Sequence, residues 1–186
     1  MKIKACLLPV VLLLYCVNSE AQIATSSANF AFEMDPEKSI ITNTETSENH
    51  QTLLAAIKAA DLEEILSYSG PFTVFAPSDS AFENFSNKSI AELLHVNNKR
   101  ELRALMTYHI IAGKFSASKI LKAMCRGGGK ASFTTVQGDE LIATMDGVDI
   151  VLTDSNGNTA KITYADANQC NGVIHQIDSV IQPAKM

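Results

Sequence analysis

The amino-acid sequence predicts an α+β domain in which mostly antiparallel β-strands are flanked by several short helices. In the first half of the chain, apolar residues recur at three- and four-residue spacing, which is the period of helices with one buried face. In the second half the spacing changes to two, with glycine-containing turns between the runs. Apolar residues make up 46% of 186 residues and charged residues 19%, which suits a single domain with one real core.

The first 21 residues are typical of an export signal, which we expect to be cleaved. Lys2 and Lys4 precede an apolar run, and the small residues Ser19 and Ala21 follow it. The run is shorter than the roughly 20 residues that a stable membrane-spanning helix needs, so no transmembrane anchor is expected. Cys16 leaves open whether lipidation replaces simple cleavage. The mature protein is expected to be secreted, periplasmic or attached to the cell surface.

Residues 22–49 are rich in Ser, Thr, Asn and Glu, a composition typical of a mobile surface segment. Within this segment Pro36 can start a turn, and Ile40 and Ile41 can dock on the domain that follows. The domain itself is expected to span residues 50–183.

The domain is expected to begin with a helix, a strand and a second helix. Residues 50–66 carry the helical apolar pattern, and a Gly-Pro pair at 70–71 ends it. Residues 72–75 are apolar and β-branched, which predicts a buried strand. After this strand, Ser78 or Asp79 can cap the next helix by accepting a hydrogen bond from its first turn.

Three more helices are predicted over Ile90–Leu94, Arg100–Ile111 and Ser116–Met124. A triple glycine then separates this helical half from the strands. The strands are predicted around Phe133–Gln137 and over Leu141–Met145, Val148–Thr153, Ala160–Tyr164 and Val173–Ile181. Asp-Gly and Asn-Gly pairs lie between the middle strands and favour tight hairpin turns.

Two long segments and one residue pair resemble the fasciclin domain. Residues 72–82, FTVFAPSDSAF, are similar to the first signature block of that family, and residues 171–180, NGVIHQIDSV, to the second. Between them, Tyr108-His109 resembles the tyrosine-histidine motif of the family. The signature positions, for which structural roles are expected, are Thr73, Phe75, Ala76, Pro77, Asp79, Phe82, Asn171, Gly172, Val173, His175 and Asp178.

The resemblance implies a fasciclin-like wedge of strands flanked by helices. It also implies a non-catalytic adhesion or interaction module, outside the cell or on its surface, that contacts cell-surface, matrix or polysaccharide partners. The alternative is an envelope protein that binds a small molecule or a glycan in a groove. The chain has no tryptophan and four tyrosines, which limits the aromatic faces that sugars stack on.

Partner contact is assigned by this resemblance to Tyr108 and His109, and the alternative is that His109 forms hydrogen bonds inside the domain. The resemblance also implies partner contact at Asp166, which matches the aspartate of an Asp-Ile pair proposed to engage integrins in some animal relatives. Here Ala167 follows it in place of isoleucine, so the apolar half of that contact is missing.

Cys125 and Cys170 remain after signal cleavage, in a protein bound for an oxidising compartment. They form either one disulfide or two separate thiols, because sequence does not give the distance between them. Neither has a second ligand at zinc-like spacing, so no metal site is expected.

Other function classes have little support in the sequence. A net charge of −5 disfavours nucleic acid as a partner. There is no Gly-x-Ser-x-Gly elbow and no His-Glu-x-x-His pair, and the triple glycine is followed by Lys130-Ala131 without the hydroxyl of a phosphate loop. We therefore expect neither catalysis nor a cofactor.

Overall fold

The structure, a computed structural model, describes residues 34–85 and 90–184. The predicted export signal with Cys16 lies outside the described residues, as do residues 22–33. The helices are α1 (Ile40–Thr46), α2 (Gln51–Ala59), α3 (Glu63–Tyr68), α4 (Asp79–Glu83), α5 (Ile90–Leu93), α6 (Lys99–Tyr108) and α7 (Ala117–Arg126), with a 3-10 helix at Val96–Asn98. The strands are β1 (Phe72–Pro77), β2 (Ile110–Ala112), β3 (Lys130–Thr134), β4 (Glu140–Asp146), β5 (Asp149–Thr153), β6 (Thr159–Gln169) and β7 (Gly172–Ile177).

In the described part of the chain, seven strands form one mixed sheet in the order β2-β1-β7-β6-β5-β4-β3. β1 and β7 run parallel, with Phe72 opposite Gly172, and every other neighbouring pair is antiparallel. A bridge between Ile111 and Thr135 joins the two ends of this order, so the sheet curls back on itself. The predicted α+β architecture of mostly antiparallel strands and short helices is confirmed.

Two apolar clusters fill the interior on either side of β1 and β7. The first lies among the helices α1, α2, α3 and α6 and includes Ile40, Leu53 and Leu66. The second lies between α7 and the strands and includes Phe75 and Ile120. Each such side chain contributes about 1.5–3 kcal/mol when it is fully buried, so the two clusters hold helices and sheet together.

Residues 34–49 are folded, which corrects the prediction that the whole lead-in is mobile. Ile40 and Ile41 dock in the first cluster, and Ile40 is 1% exposed. The amide of Asn43 is also buried and donates to the side chain of Gln169. This buried polar residue of α1 is therefore paired with a distant part of the chain. For this reason the polar composition of the segment was misleading as a sign of solvent exposure.

Two helix boundaries also differ from the sequence prediction. The predicted helix at 50–66 is broken into α2 and α3 by Asp61, whose φ is +53°. The predicted helix at 100–111 ends at Tyr108, and residues 110–112 form β2 instead. Ile110 and Ile111 pair with the edge of β1 instead of extending the helix. Both are β-branched residues, which favour a strand over a helix.

The hairpin signals are confirmed. Asp146-Gly147 lies at the turn between β4 and β5, and Gly147 has φ +62°. In the next loop the carboxylate of Asp154 accepts the backbone N–H groups of Asn156 and Asn158, both at 2.9 Å. This side chain closes the β5–β6 connection in the manner of an Asx turn.

Candidate functional site

Tyr108, at the last position of α6, is completely buried. Its hydroxyl donates to the carbonyl oxygen of Glu140 at 2.8 Å and accepts the N–H of Ser155 at 3.1 Å. Burial raises the pKa of Tyr108. The side chain thus ties α6 to β4 and to the β5–β6 loop.

His109 follows directly and is 1% exposed. Its Nδ1 lies 2.8 Å from the carbonyl oxygen of Leu105, and its Nε2 lies 3.3 Å from the backbone nitrogen of Ile181. A neutral ring with its proton on Nδ1 satisfies both contacts. Burial lowers the pKa of His109 to about 4, in keeping with this neutral form. Both side chains are buried, which matches the alternative of internal hydrogen bonds for His109; partner contact through Tyr108 and His109 stays a prediction.

Asp166 lies in β6 with φ +64° and is half-buried. One oxygen of its carboxylate accepts the N–H of Ala117 at the start of α7, at 2.8 Å. Its own N–H donates to Nδ1 of His175 at 3.1 Å, and Nε2 of His175 donates to the carbonyl oxygen of Phe115 at 2.8 Å. Burial lowers the pKa of His175. Asp166 thereby fixes the start of α7, and its contact with a partner stays a prediction.

In the first signature segment, Thr73 connects β1 to the loop before α7. Its hydroxyl donates to the carbonyl oxygen of Gly113 at 2.7 Å and accepts the N–H of Phe115 at 2.9 Å. Phe75 stacks on His175 with the ring centres 5.7 Å apart. The remaining apolar signature positions are buried, namely Ala76, Pro77, Phe82 and Val173.

The two candidate caps at the end of β1 serve different helices. Ser78 caps α4, because its hydroxyl accepts the N–H of Ala81 at 3.2 Å. The carboxylate of Asp79 instead accepts the N–H groups of Gln51 and Thr52, at 3.2 and 2.8 Å, in the first turn of α2. Asp79 is thus a long-range cap, which local sequence patterns do not reveal.

Asn171, in the second signature segment, holds three backbone groups at once. Its Oδ1 accepts the N–H of Ile40 at 2.9 Å, and its Nδ2 donates to the carbonyl oxygens of Leu66 and Ser69 at 2.7 and 3.0 Å. It therefore joins the start of α1 and the end of α3 to the turn before β7. These contacts cannot be predicted from local sequence patterns, because all three partners lie more than 100 positions away.

The other signature positions of that segment are also structural. A Cβ at Gly172 would overlap the carbonyl oxygen of Phe72 on the neighbouring strand, so only glycine fits there. The carboxylate of Asp178 accepts the N–H of Lys161 at 2.8 Å, which extends the pairing of β6 with the end of β7.

Cys125 and Cys170 are free and exposed. Of the two alternatives that the sequence left open, the structure has separate thiols. Within residues 34–85 and 90–184, no group of three or more His, Cys, Asp or Glu side chains is placed to hold a metal ion.

A family model of the fasciclin domain matches residues 48–183, well over half of the chain. The chain belongs to the fasciclin domain family. Protein sll1483 of Synechocystis is 38% identical over 141 residues, which cover 74% of this chain and 69% of that protein. The cell surface glycolipoprotein MPB83 of Mycobacterium bovis is 28% identical over 114 residues, which cover 61% of this chain and 44% of the relative.

The fold of this fasciclin domain has a solved counterpart. The FAS1 domain pair of the insect cell adhesion molecule Fasciclin I superposes with a TM-score of 0.68 at 15% identity, over 78% of this chain and 51% of that one. Fasciclin domain proteins include extracellular, adhesion-related proteins. None of the described helices of this domain has the length and apolar character to cross a membrane.

Tyr68 is an exposed aromatic residue of this fasciclin domain that was not predicted from the sequence as a candidate site. Tyr68, at the end of α3, is 87% exposed and lines an open depression of about 480 Å³. The other lining residues are polar or charged: Lys58, Asp61, Glu63, Glu64 and Ser67. The helical period did not single out Tyr68, because one exposed aromatic at a helix end is an ordinary surface residue.

Proposed function

We propose that the mature chain is a non-catalytic adhesion or interaction module that acts outside the cell or on its surface. Its partners are cell-surface, matrix or polysaccharide molecules. The observation that carries this proposal is the match to the fasciclin domain over residues 48–183, which takes in most of the residues that the structure describes.

The placement of the signature residues supports a scaffold role for them. Thr73, Asp79, His109 and Asn171 use their polar atoms to bind backbone groups of other elements. Such contacts hold the outer surfaces in fixed positions, which lowers the entropic cost of binding. Adhesion then depends on outward-facing side chains. Many copies on one surface increase the overall binding strength by avidity, even when each single contact is weak.

The test uses the full mature chain displayed on beads, with beads that carry an unrelated acidic protein as the control. We expect the displayed chain to retain cells or matrix polysaccharide at least about tenfold above the control. Tyr108→Phe keeps every exposed side chain and should bind like the wild type once circular dichroism shows that it is folded. A folded wild type that retains no cell, matrix protein or polysaccharide would contradict the proposal.

The second candidate function is glycan or small-molecule binding in the cell envelope, and the depression beside Tyr68 favours it. An exposed aromatic face next to carboxylates and an ammonium group offers both stacking and hydrogen bonds to a sugar ring. Tyr68→Ala should then abolish retention on immobilised neutral glycans, whereas Tyr68→Phe should keep it. Equal retention of the wild type and Tyr68→Ala would remove this candidate.

A further inference from the structure

The charges of the chain are strongly segregated along the sequence. Residues 102–138 contain six of the 15 basic residues and none of the 20 acidic residues. The remainder of the chain therefore has nine basic and 20 acidic residues, a net charge of −11. A cationic segment is embedded in an acidic protein.

Helix α7 brings part of this segment into a row. Ile120 and Met124 face the sheet and are buried, whereas Lys119, Lys122 and Arg126 are exposed. At about 100° per residue, these three positions fall within about 60° of one another around the helix. They form a straight line of positive charge on the outer face, which we call the cation row.

The cation row has no carboxylate partner among the residues that the structure describes. Within the described ranges, no ion pair joins Lys119, Lys122 or Arg126 to a carboxylate. The ammonium group of Lys119 donates instead to the carbonyl oxygen of Lys114 at 2.7 Å, which places the backbone of a further basic residue beside the start of the row.

Exposed lysines outside this segment form ion pairs with carboxylates, among them Lys38, Lys58, Lys99 and Lys161. Lys58 lies 2.9 Å from a carboxylate oxygen of Glu45, and Lys161 lies 3.2 Å from one of Asp149. The acidic residue that contacts α7, Asp166, already accepts the N–H of Ala117. Ion pairing is thus common among the exposed lysines outside residues 102–138, whereas within the described ranges the cation row, Lys114 and Lys130 have no ion pair.

We propose that the cation row binds an acidic polysaccharide through carboxylate or sulfate groups spaced along the polymer. The inference names a partner class for the adhesion function proposed above and rests on it. A narrow polyanion can lie along the row and release its counterions, so binding weakens steeply as salt is added. Arg126 adds a planar guanidinium, which takes such groups in bidentate fashion.

The same observations disfavour an anionic membrane. The apolar stripe of α7 is turned into the core, and Leu121 at 38% exposure is a small apolar area for insertion into lipid. A flat anionic surface also faces the acidic remainder of the protein, whose charge of −11 opposes the approach. A thin polymer avoids most of that repulsion.

The experiment measures binding of the mature chain to immobilised alginate, a uronate polymer, with neutral dextran as the blank. The test variant is Lys119→Gln/Lys122→Gln/Arg126→Gln, because glutamine keeps a good helix propensity. The control variant Lys38→Gln/Lys99→Gln/Arg100→Gln removes the same charge from exposed positions outside α7. Circular dichroism and the urea midpoint show that both are folded.

We expect the test variant to bind alginate at least about tenfold more weakly than the wild type, and its salt slope to fall by up to about 2. The control variant should stay within about twofold of the wild type. Equal losses in both variants would overturn the proposal, since net charge alone would then explain binding. Binding to phosphatidylglycerol vesicles without binding to alginate would overturn it in favour of a membrane.

Bead adhesion separates this inference from the function on which it rests. If the wild type adheres to cells but does not bind alginate, the polysaccharide inference is overturned and the adhesion proposal stands. If the beads retain no cell, matrix protein or polysaccharide, alginate included, both the adhesion proposal and the polysaccharide inference are overturned.

Discussion

The polar side chains of the signature segments and those on the outer face of α7 are used in opposite ways. Asn171 and Asp79 bind backbone groups of distant helices. His109 is buried and forms hydrogen bonds with α6 and with the C-terminal segment. Lys122 and Arg126 extend into solvent from a helix whose other face is buried. The buried polar residues of these motifs therefore serve the scaffold, and the exposed cations of α7 are free to contact a partner.

This difference has an energetic consequence. Removal of one partner from a buried hydrogen bond leaves a desolvated polar group and costs about 1–3 kcal/mol, whereas a change on an open surface costs about 0.5 kcal/mol or less. Substitutions in the signature segments should lower stability, and those on α7 should change binding at nearly constant stability.

The largest effect is expected from Asn171→Ala. The substitution leaves one N–H and two carbonyl groups without their partner, so the free energy of unfolding should fall by about 3 kcal/mol. Asn168→Ala is the matched control, because Asn168 is exposed and its side chain bonds, among the described residues, only the carbonyl oxygen of Asp166, at 3.0 Å. Urea unfolding measures both, and equal losses would show that Asn171 does not join the helices to the sheet.

Next in size is the pH dependence of stability that His109 confers. Its pKa is about 4 in the folded protein, against about 6.5 in an unfolded chain. The unfolded state therefore binds more protons in this range, so the contribution of His109 is intact above about pH 6.5 and is lost as the pH falls toward 4. The loss at pH 5 should be about 2 kcal/mol.

Urea unfolding of the wild type and His109→Gln at pH 7, 6 and 5 checks this sign. The variant should be less stable at pH 7 but should lose about 1 kcal/mol per pH unit less than the wild type between pH 6 and 5. Lys122→Gln, on the outer face of α7, serves as the control and should follow the wild-type pH dependence. Parallel curves for the wild type and His109→Gln would mean that His109 has the same pKa in the folded and unfolded states, so that burial does not lower it.

A smaller effect is expected from Tyr108→Phe, which removes the hydroxyl and keeps the buried ring. The carbonyl oxygen of Glu140 and the N–H of Ser155 lose a partner, and unfolding should become easier by about 1.5 kcal/mol. Tyr68→Phe is the same chemical change on a ring that is 87% exposed and should cost less than about 0.5 kcal/mol. Thermal unfolding measures both variants. Equal losses of stability would contradict the claim that the buried hydroxyl contributes more than the exposed one.

Local chemistry made much of the fold predictable from the sequence. The N-cap role of Ser78, the amphipathic helix after Ser116 and the turn at Asp146-Gly147 depend on residues within a few positions of one another. The cations of α7 were not singled out in the sequence, because only the folded helix shows that they share its outer face and lie apart from carboxylates.

The remaining features depend on partners that are distant in the chain. Helix α1 is rich in polar residues, so its sequence resembles that of a loop. Its buried Asn43 is tolerated in the interior because it pairs with the distant Gln169. Ile110 and Ile111 continue a helical pattern but pair with β1, some 36–38 positions away. Burial of Tyr108 and His109 likewise follows from the closure of the β5–β6 loop and the C-terminal segment over them.

The smallest effect is expected from the two cysteines, one of which, Cys125, lies on the exposed side of α7. Since both thiols are free and exposed, Cys125→Ser/Cys170→Ser should change the free energy of unfolding by less than about 0.5 kcal/mol. In the mature chain a thiol reagent should titrate both without denaturant, and a reductant should leave the melting temperature unchanged. A bridge typically stabilises by about 2–4 kcal/mol, so a drop of several degrees on reduction would join α7 to the end of β6. The outer face of α7 would then also be part of the scaffold, and it would differ from the signature segments only in its positive charge.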